Sequence, residues 1–437
     1  MTRRLPLAAP LRGLPTEVSV AGATVRGFTG ESVAAAALAS GARVLSRSLK
    51  YHRPRGLFCL EGHCGGCLVR VDGVPNLRAC QVTCAPGLKV EAQNAFPSAE
   101  VDLLGAVDFV FARGMDHHGL MTGSAVLNQL ASRVVRQLSG LGKLPGAVAT
   151  ATPPVAEHRV DVAVIGGGPA GLAAAEATAR AGASTVLLDD QLRLGGSLRA
   201  EPSAGPAAAA RAEEAAAAAG ALLLPRTGAI AYFPEDAGGV LLAASDERAA
   251  RVHARHWIWA TGGYAQNLAV PNNDRPGVVA LRAVGRLLAD HGILAGERIC
   301  AIVDPAVRRH AQATVDALRA AGAEVSVLDV SEVDTVRGRS GVTGVDLVDG
   351  RQLDCDLVAM AALPAPATEG PRQQGCAVVL DPAAGGFRLV TDDAGRTSAP
   401  TVWGCGDVCG YRGPREAAAD GARVGAQVAR ALAAEAT

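Results

Sequence analysis

Aromatic residues are scarce in this chain: 3 Trp, 4 Tyr and 7 Phe make up 3% of 437 residues, and only 4 Met add bulk. An interior built on ring packing is excluded, and the abundant Ala and Gly point to α/β layers brought close by small side chains. Charge of one sign is missing as well, because 42 basic and 42 acidic residues cancel. Nothing therefore favours a nucleic-acid or other polyanionic surface. No apolar run approaches the roughly 18 residues that span a bilayer. The opening Met-Thr-Arg-Arg-Leu-Pro-Leu-Ala-Ala-Pro carries charge but no apolar core of the kind a secretory signal needs. Ten cysteines, not spaced as a disulfide framework, suit a reducing compartment, so a cytoplasmic protein is expected.

Cysteine itself is concentrated. Cys59, Cys64, Cys67 and Cys80 follow the spacing C-x4-C-x2-C-x12-C within Cys59-Leu-Glu-Gly-His-Cys-Gly-Gly-Cys-Leu-Val-Arg-Val-Asp-Gly. Gly62, Gly65 and Gly66 let the backbone turn sharply and can aim N–H groups at inorganic sulfide. An alternating strand, Leu68 to Val71, and a turn at Asp72-Gly73 bring the fourth thiol back. This is the plant-type pattern for a [2Fe-2S] cluster, with these four cysteines as its ligands. Zinc also accepts four thiolates, but zinc knuckles pair two C-x2-C units and only one is present.

Length predicts about three domains. Residues 1–99 read as a [2Fe-2S] ferredoxin-like β-grasp domain, with a strand at Glu17 to Val20, a helix over Ser32 to Ala39, the cysteine loop, and strands around Val69 and Val90. Residues 100–158 read as connector and linker. A helical pattern covers Val126 to Leu138, and prolines with small residues from Pro145 to His158 sustain neither helix nor sheet. A first nucleotide-binding unit is expected over 159–290, a second over 291–365, and a return segment of the first over 366–437. Ala207 to Ala219 predicts a plain packed helix, and Glu416 to Ala434 a final one.

Val160-Asp-Val-Ala-Val-Ile is a buried strand that runs into Gly166-Gly-Gly168-Pro169-Ala170-Gly171 and a helix reaching about Arg180. The next strand, Thr185-Val-Leu-Leu, ends in Asp189, placed to accept ribose hydroxyls. Gly166 makes the turn, Gly168 admits a pyrophosphate to the helix N-terminus, and Gly171 lets helix pack on strand. Gly195-Gly196 marks a place where chain can pass close to an isoalloxazine ring. Thr261-Gly262 closes the same unit, and Gly406-Asp407 precedes the final helix, where a carboxylate can bond a ribityl hydroxyl. Together these features resemble the two-dinucleotide-binding flavoproteins, and that resemblance favours FAD over NAD or ATP. The fold class expected is α/β, a two-dinucleotide-binding (Rossmann-like) flavoprotein fold preceded by a β-grasp [2Fe-2S] ferredoxin-like domain.

The candidate second nucleotide fold is Arg298-Ile-Cys-Ala-Ile-Val, a helix over Ala306 to Ala321, and Glu324-Val-Ser-Val-Leu. Its turn, Val303-Asp304-Pro305-Ala306, contains no glycine. Asp304 is placed as an N-cap with Pro305 at the first helical position, so the chain's own carboxylate takes the N–H groups a pyrophosphate would use and repels phosphate. This site is expected to refuse NAD(P)H.

Other polar residues read as structure. Cys84 is expected to be a buried thiol, Cys405 and Cys409 a packed pair, and His117-His118 solvated. Arg53 and Arg55 suit either a cofactor phosphate or partner subunit, or a plain surface. No nucleophile–base pair stands out, so substrate oxidation is expected on another chain.

Three strings, Ser48-Leu-Lys-Tyr-His-Arg-Pro-Arg-Gly56, the Gly166 fingerprint and Asn272-Asn-Asp-Arg-Pro-Gly-Val278, resemble the α subunit of heterotetrameric sarcosine oxidase. They also resemble its relatives in opine oxidase, hydrogen cyanide synthase and dye-linked proline or hydroxyproline dehydrogenase. The resemblance implies an electron-transfer subunit carrying FAD and the [2Fe-2S] cluster, in some members with FMN at a subunit junction. It also implies a glycine-oxidase-like or sarcosine-oxidase-β-like FAD partner that oxidises a C–N bond, with a small third subunit as a further partner. The sarcosine α subunit continues into a folate-handling half, whereas 28 residues follow Cys409 here, so the resemblance does not imply formaldehyde transfer to folate; its N-terminal module generally lacks the cluster cysteines present here. Two other readings stay open: a self-contained NAD(P)H-dependent reductase, and a scaffolding subuit holding ATP or NAD without turnover.

Overall fold

The computed structural model describes residues 3–6, 13–48, 51–103, 124, 126, 129–130, 153–201, 205–234 and 239–435. The N-terminal part is a five-stranded sheet in the order Ala23–Phe28, Pro15–Val20, Lys89–Glu91, Leu68–Val71, Val74–Arg78. Pro15–Val20 sends Thr16, Val18 and Val20 inward, the period of a sheet with one solvated face. Helix Val33–Ala39 packs against this sheet through alanine, valine and leucine alone. Ser32 caps it, its Oγ accepting the Ala35 N–H at 3.3 Å. The expected β-grasp arrangement is the one observed.

A second, seven-stranded sheet holds Val155–Ile165 between Thr185–Leu188 and Ala249–Trp259, with Leu222–Leu224 and Val402–Gly404 outside these, all five parallel, while Val240–Ala244 and Gly228–Phe233 extend it antiparallel from Ala249–Trp259. Thr185–Leu188 is buried throughout, as a strand covered on both faces requires. The helix Pro169–Arg180 and the C-terminal helix Pro414–Glu435 cover one face. They approach closely through glycine: a Cβ at Gly421 would strike the Ala170 backbone, and one at Gly425 the Ala174 carbonyl.

Two expected boundaries move. The strand begins at Val155, inside the expected linker, because Val155 to His158 pair in register with Ala249 to Val252. Composition does not reveal that a neighbour of matching length stands ready to take those hydrogen bonds. The second nucleotide unit opens before residue 291, since Val278–Ala280 already belongs to the parallel sheet Val278–Ala280, Leu357–Ala361, Arg298–Val303, Glu324–Asp329. A strand this short shows no periodicity. The chain crosses at Gly263–Tyr264 and returns at Ala365–Pro366, and these two segments pair antiparallel. Most of the expected helix Val126 to Leu138, and His117-His118, lie outside the described residues.

The N-terminal domain does not stand apart. Val33, Leu38, Leu57 and Leu60 share one interior with Val279, Leu287, Ile293 and Ile299 of the second unit. The cysteine loop is thereby held against the nucleotide-binding units.

Candidate functional site

The cysteine loop folds back through positive φ at Leu60 and Gly62. A Cβ at Gly62 would strike the Gln81 amide and one at Gly66 the Gly56 carbonyl, so close approach fixes both glycines. Cys59, Cys67 and Cys80 are buried and Cys64 is partly exposed. The thiols stand as two hydrogen-bonded pairs, Cys59 with Cys64 and Cys67 with Cys80, and Cys67 is close enough to Cys59 for their charges to interact. Among the described residues no group of His, Cys, Asp or Glu is spaced to hold a single metal ion. Two irons sharing four thiolates fit this division into pairs. The Cys59 thiol, and then the Gly66 N–H, bring Cys64 down to about 6 against the effect of burial. The thiol–thiol bonds, and then burial, push Cys59 and Cys80 up. The Glu61 N–H donates to Cys59 Sγ at 3.4 Å.

Beside this loop three cavities run end to end. The middle one, about 100 Å³, is lined by Gly166, Gly168, Pro169, Ala170, Asp189, Gly196, Thr261, Gly262 and Asp407. It shares Gly166, Asp189 and Thr261 with a cavity of about 320 Å³ that reaches Thr227 and Gly228. It shares Ser197 and Arg282 with another of about 330 Å³ that reaches Tyr411 and Pro414. Wide ends joined at a narrow, glycine-lined waist suit a dinucleotide with its pyrophosphate at the waist.

The glycines divide by role. Gly166 has φ +107°, and a Cβ there would strike the Ala260 carbonyl; at Gly171 it would strike the Gly166 carbonyl. Gly168 has φ −75°, open to any residue, and a Cβ there meets no protein atom within 4 Å. Neither backbone nor packing explains glycine at 168; room for a ligand at the helix N-terminus does, so the site fits the group. Gly195 and Gly406 are packing positions, whose Cβ atoms would crowd Ala209 and Ala170. Gly195-Gly196 contacts the glycine turn, and Gly196 also lines the middle cavity. The Gly195 N–H donates to the Gly167 carbonyl at 2.7 Å, and a Cβ at Gly196 would lie 2.9 Å from Gly168 Cα.

Asp189 accepts the Gly167 N–H at 2.5 Å and the Gln191 N–H at 2.8 Å. Burial, and then the charge of Asp190, raises its carboxyl to about 6. Asp407 is buried before the C-terminal helix, and burial raises its pKa against the opposing pull of Arg282. Thr261 donates to the Ala367 carbonyl at 2.7 Å and ties the crossover to the return segment.

The cysteine loop and the cavities meet. His63, adjacent to Cys64, lines the middle and 320 Å³ cavities and packs on Tyr264 with ring centroids 4.5 Å apart. Burial, ahead of the opposing charges of Glu61 and Asp190, lowers its pKa. The buried Glu61 carboxylate accepts two bonds from Arg282, at 3.2 and 2.5 Å. Sequence reasoning missed His63, Gln191, Arg282 and Arg286, all of which line the middle cavity. One signal was available: Arg282, Arg286 and Asp290 recur every four residues on helix Leu281–His291.

At the second turn, Asp304 Oδ1 accepts the Ala306 N–H at 2.8 Å, as expected. The cap closes a 3-10 turn, Pro305–Val307, and the helix proper starts only at Arg308, so the expected single helix is divided. Arg53 and Arg55 both reach Asp274, at 3.6 and 3.4 Å, joining two of the strings singled out in the sequence. Cys84 is a buried thiol pushed up to about 12 by burial. Cys405 and Cys409 are likewise raised by burial.

Comparison with known families agrees with this geometry. Residues 14–95 match a 2Fe-2S iron-sulfur cluster binding domain, 161–223 an FAD dependent oxidoreductase, and 291–431 a pyridine nucleotide-disulphide oxidoreductase. The sarcosine oxidase subunit alpha of Rhizobium meliloti is 30% identical over 312 residues, covering 65% of this chain and 31% of that protein. The hydrogen cyanide synthase subunit HcnA of Pseudomonas aeruginosa is 37% identical over 92 residues, covering 21% of this chain and 88% of that one. The chain thus spans about a third of the sarcosine oxidase subunit it matches. In fold it is similar to L-proline dehydrogenase from P. horikoshii, with a TM-score of 0.73, 18% identity, and coverage of 97% of this chain and 74% of that one. No helix among the described residues is long and apolar enough to cross a membrane.

Proposed function

We propose that this chain, a relative of the sarcosine oxidase α subunits with a 2Fe-2S domain and an FAD-dependent oxidoreductase fold, is the electron-transfer subunit of a heteromeric amino- or imino-acid dehydrogenase or oxidase. A partner FAD chain of the sarcosine oxidase β or glycine oxidase type removes two electrons and two protons as a CH–NH bond becomes C=N. An FMN at the junction and a small third subunit belong to the same proposal, and the cytoplasm is its compartment.

Bound FAD supplies pairwise acceptance and single release of electrons, and a [2Fe-2S] centre supplies one-electron transfer. Cys59, Cys64, Cys67 and Cys80 are the proposed cluster ligands. Gly168 leaves the helix N-terminus free for the pyrophosphate, and Arg282 and Arg286 line the same cavity and offset its charge. Asp189 takes the ribose hydroxyls, while the buried Asp407 orients the ribityl chain ahead of the C-terminal helix. His63 and Tyr264 border the channel on the cysteine-loop side.

The observation that carries the reading is that His63, next to a cluster cysteine, lines the dinucleotide cavity. The capped turn at Asp304 supports a donor other than NAD(P)H. The test is an anaerobic titration of the purified chain with NADH and then NADPH, following flavin and cluster absorbance. The spectrum should stay oxidised until the partner subunit and an amino-acid substrate are added. Rapid bleaching by either nucleotide would establish the self-contained reductase instead.

A further inference from the structure

Gln191 belongs to neither the cysteine motif nor the glycine fingerprint, yet it is buried where the two meet. Its side-chain amide holds both ends of the cysteine loop. Nε2 donates to the Glu61 carbonyl at 2.9 Å, and Oε1 accepts from Gln81 Nε2 at 3.4 Å. Glu61 is the residue whose N–H is bonded to Cys59 Sγ, and Gln81 directly follows Cys80. The backbone of Gln191 faces the other way, its N–H on Asp189 Oδ1 at 2.8 Å, and Asp189 Oδ2 in turn holds the Gly167 N–H. A continuous run of hydrogen bonds therefore leads from the phosphate turn, through Asp189, Gln191 and Glu61, to the Cys59 sulfur. A second link runs beside it, because Arg282 lines the waist of the channel and binds the Glu61 carboxylate.

Hydrogen bonds to cluster sulfurs set the reduction potential of iron-sulfur centres. A ligand that draws on Asp189 or Arg282 pulls on the groups that position Glu61, and hence on the N–H bonded to Cys59. We propose that Gln191 is a positioning residue that couples the two sites, so that occupancy of the dinucleotide channel resets the potential of the cluster. Coupling is reciprocal: the ligand binds with different affinity to the oxidised and reduced cluster, by the same factor. The inference rests on the electron-transfer reading above and adds to it a residue and a direction of control.

The experiment is an EPR-monitored redox titration of the cluster in the full chain, FAD-loaded and after FAD removal, in wild type and in Gln191→Met, which keeps volume and removes the amide's contacts to Glu61, Gln81 and Asp190. In wild type, the reduced-to-oxidised ratio of the cluster at a fixed potential should change by about fivefold or more with FAD occupancy. In Gln191→Met that dependence should collapse, compared on samples matched to wild type in flavin and cluster content. Equal dependence in both proteins, or none in wild type, would overturn the coupling while leaving the relay intact. Wild-type protein lacking cluster or flavin would sink the relay reading itself, and the coupling with it. Should Gln191→Met lose the cluster, Gln81→Leu removes one arm only; a partial loss of the dependence there supports the coupling, and an unchanged dependence refutes it.

Discussion

The chain contains the same strand–turn–helix twice, and the two copies treat their helix N-termini in opposite ways. After Val155–Ile165 the turn is glycine throughout, and a Cβ at Gly168 would meet no protein atom within 4 Å. After Arg298–Val303 the turn is Asp304-Pro305, and the Asp304 carboxylate already occupies the Ala306 N–H. At one N-terminus no protein atom fills the space beside Gly168, and the other is capped by the chain's own carboxylate. On the proposed reading, the first turn keeps the anion hole that the fold offers, and the second gives it up in exchange for an N-cap.

The comparison breaks most directly at Gly168. Gly168→Ala should leave the thermal midpoint of the apoprotein nearly unchanged, since the added Cβ meets no protein atom within 4 Å, but weaken FAD binding by roughly 3 kcal/mol through lost charge-assisted hydrogen bonds. Equilibrium dialysis with FAD checks this, and Gly171→Val is the contrast, because there the side chain runs into the Gly166 carbonyl and the fold itself should suffer.

Asp189→Asn should have a smaller effect, read in the pH dependence of the free and the loaded chain. Its carboxyl is raised to about 6 in the fold from the usual 3.8, so the folded apoprotein favours the neutral form. That contribution to stability is complete below about 4 and is lost as pH rises through about 6. An asparagine never ionises, so the variant apoprotein should lack this loss of stability between about pH 4 and 7 in urea unfolding, while its NH2 forfeits one of the two N–H bonds that Asp189 accepts. Ribose hydroxyls prefer the anion, so wild-type FAD retention should fall as pH drops below about 6. The variant should bind FAD about 1.5 kcal/mol more weakly at neutral pH, with a flatter pH profile.

The smallest expected effect is at the second turn. Asp304→Ala removes the cap and should cost about 1 kcal/mol of stability in a urea titration. It should also let NADH bind measurably tighter than to wild type, although still weakly, because Pro305 remains. Unchanged NADH affinity would mean that the carboxylate is not what closes this site.

Much of this contrast was legible along the chain. The glycine fingerprint, the carboxylate twenty-odd residues on, the four-cysteine spacing and the Asp-Pro cap are local patterns, each satisfied within one turn or one hairpin. Helix Pro169–Arg180 and the cap at Asp304 formed where the residues indicated, because capping and turn geometry depend on neighbours in sequence. The limits of the sheets were not legible. Val155–Ile165 and Val278–Ala280 owe their extents to partners roughly 80 to 95 residues away, whose register no local pattern contains.

The sequence by itself determined which chemistry the chain is equipped for: thiolates spaced for a cluster, glycines spaced for a dinucleotide, and a second turn closed by its own carboxylate. Only the tertiary structure decided that the cysteine loop and the glycine-lined cavity, the two proposed cofactor sites, are neighbours. Gln191 has nothing in its local sequence to mark it and Arg282 only a four-residue recurrence along its helix, and Glu61 is 130 residues from one partner and 221 from the other. Their roles arise because a shared interior presses the cysteine loop onto the nucleotide-binding units. Burial then obliges each polar group there to find a partner on the opposite side.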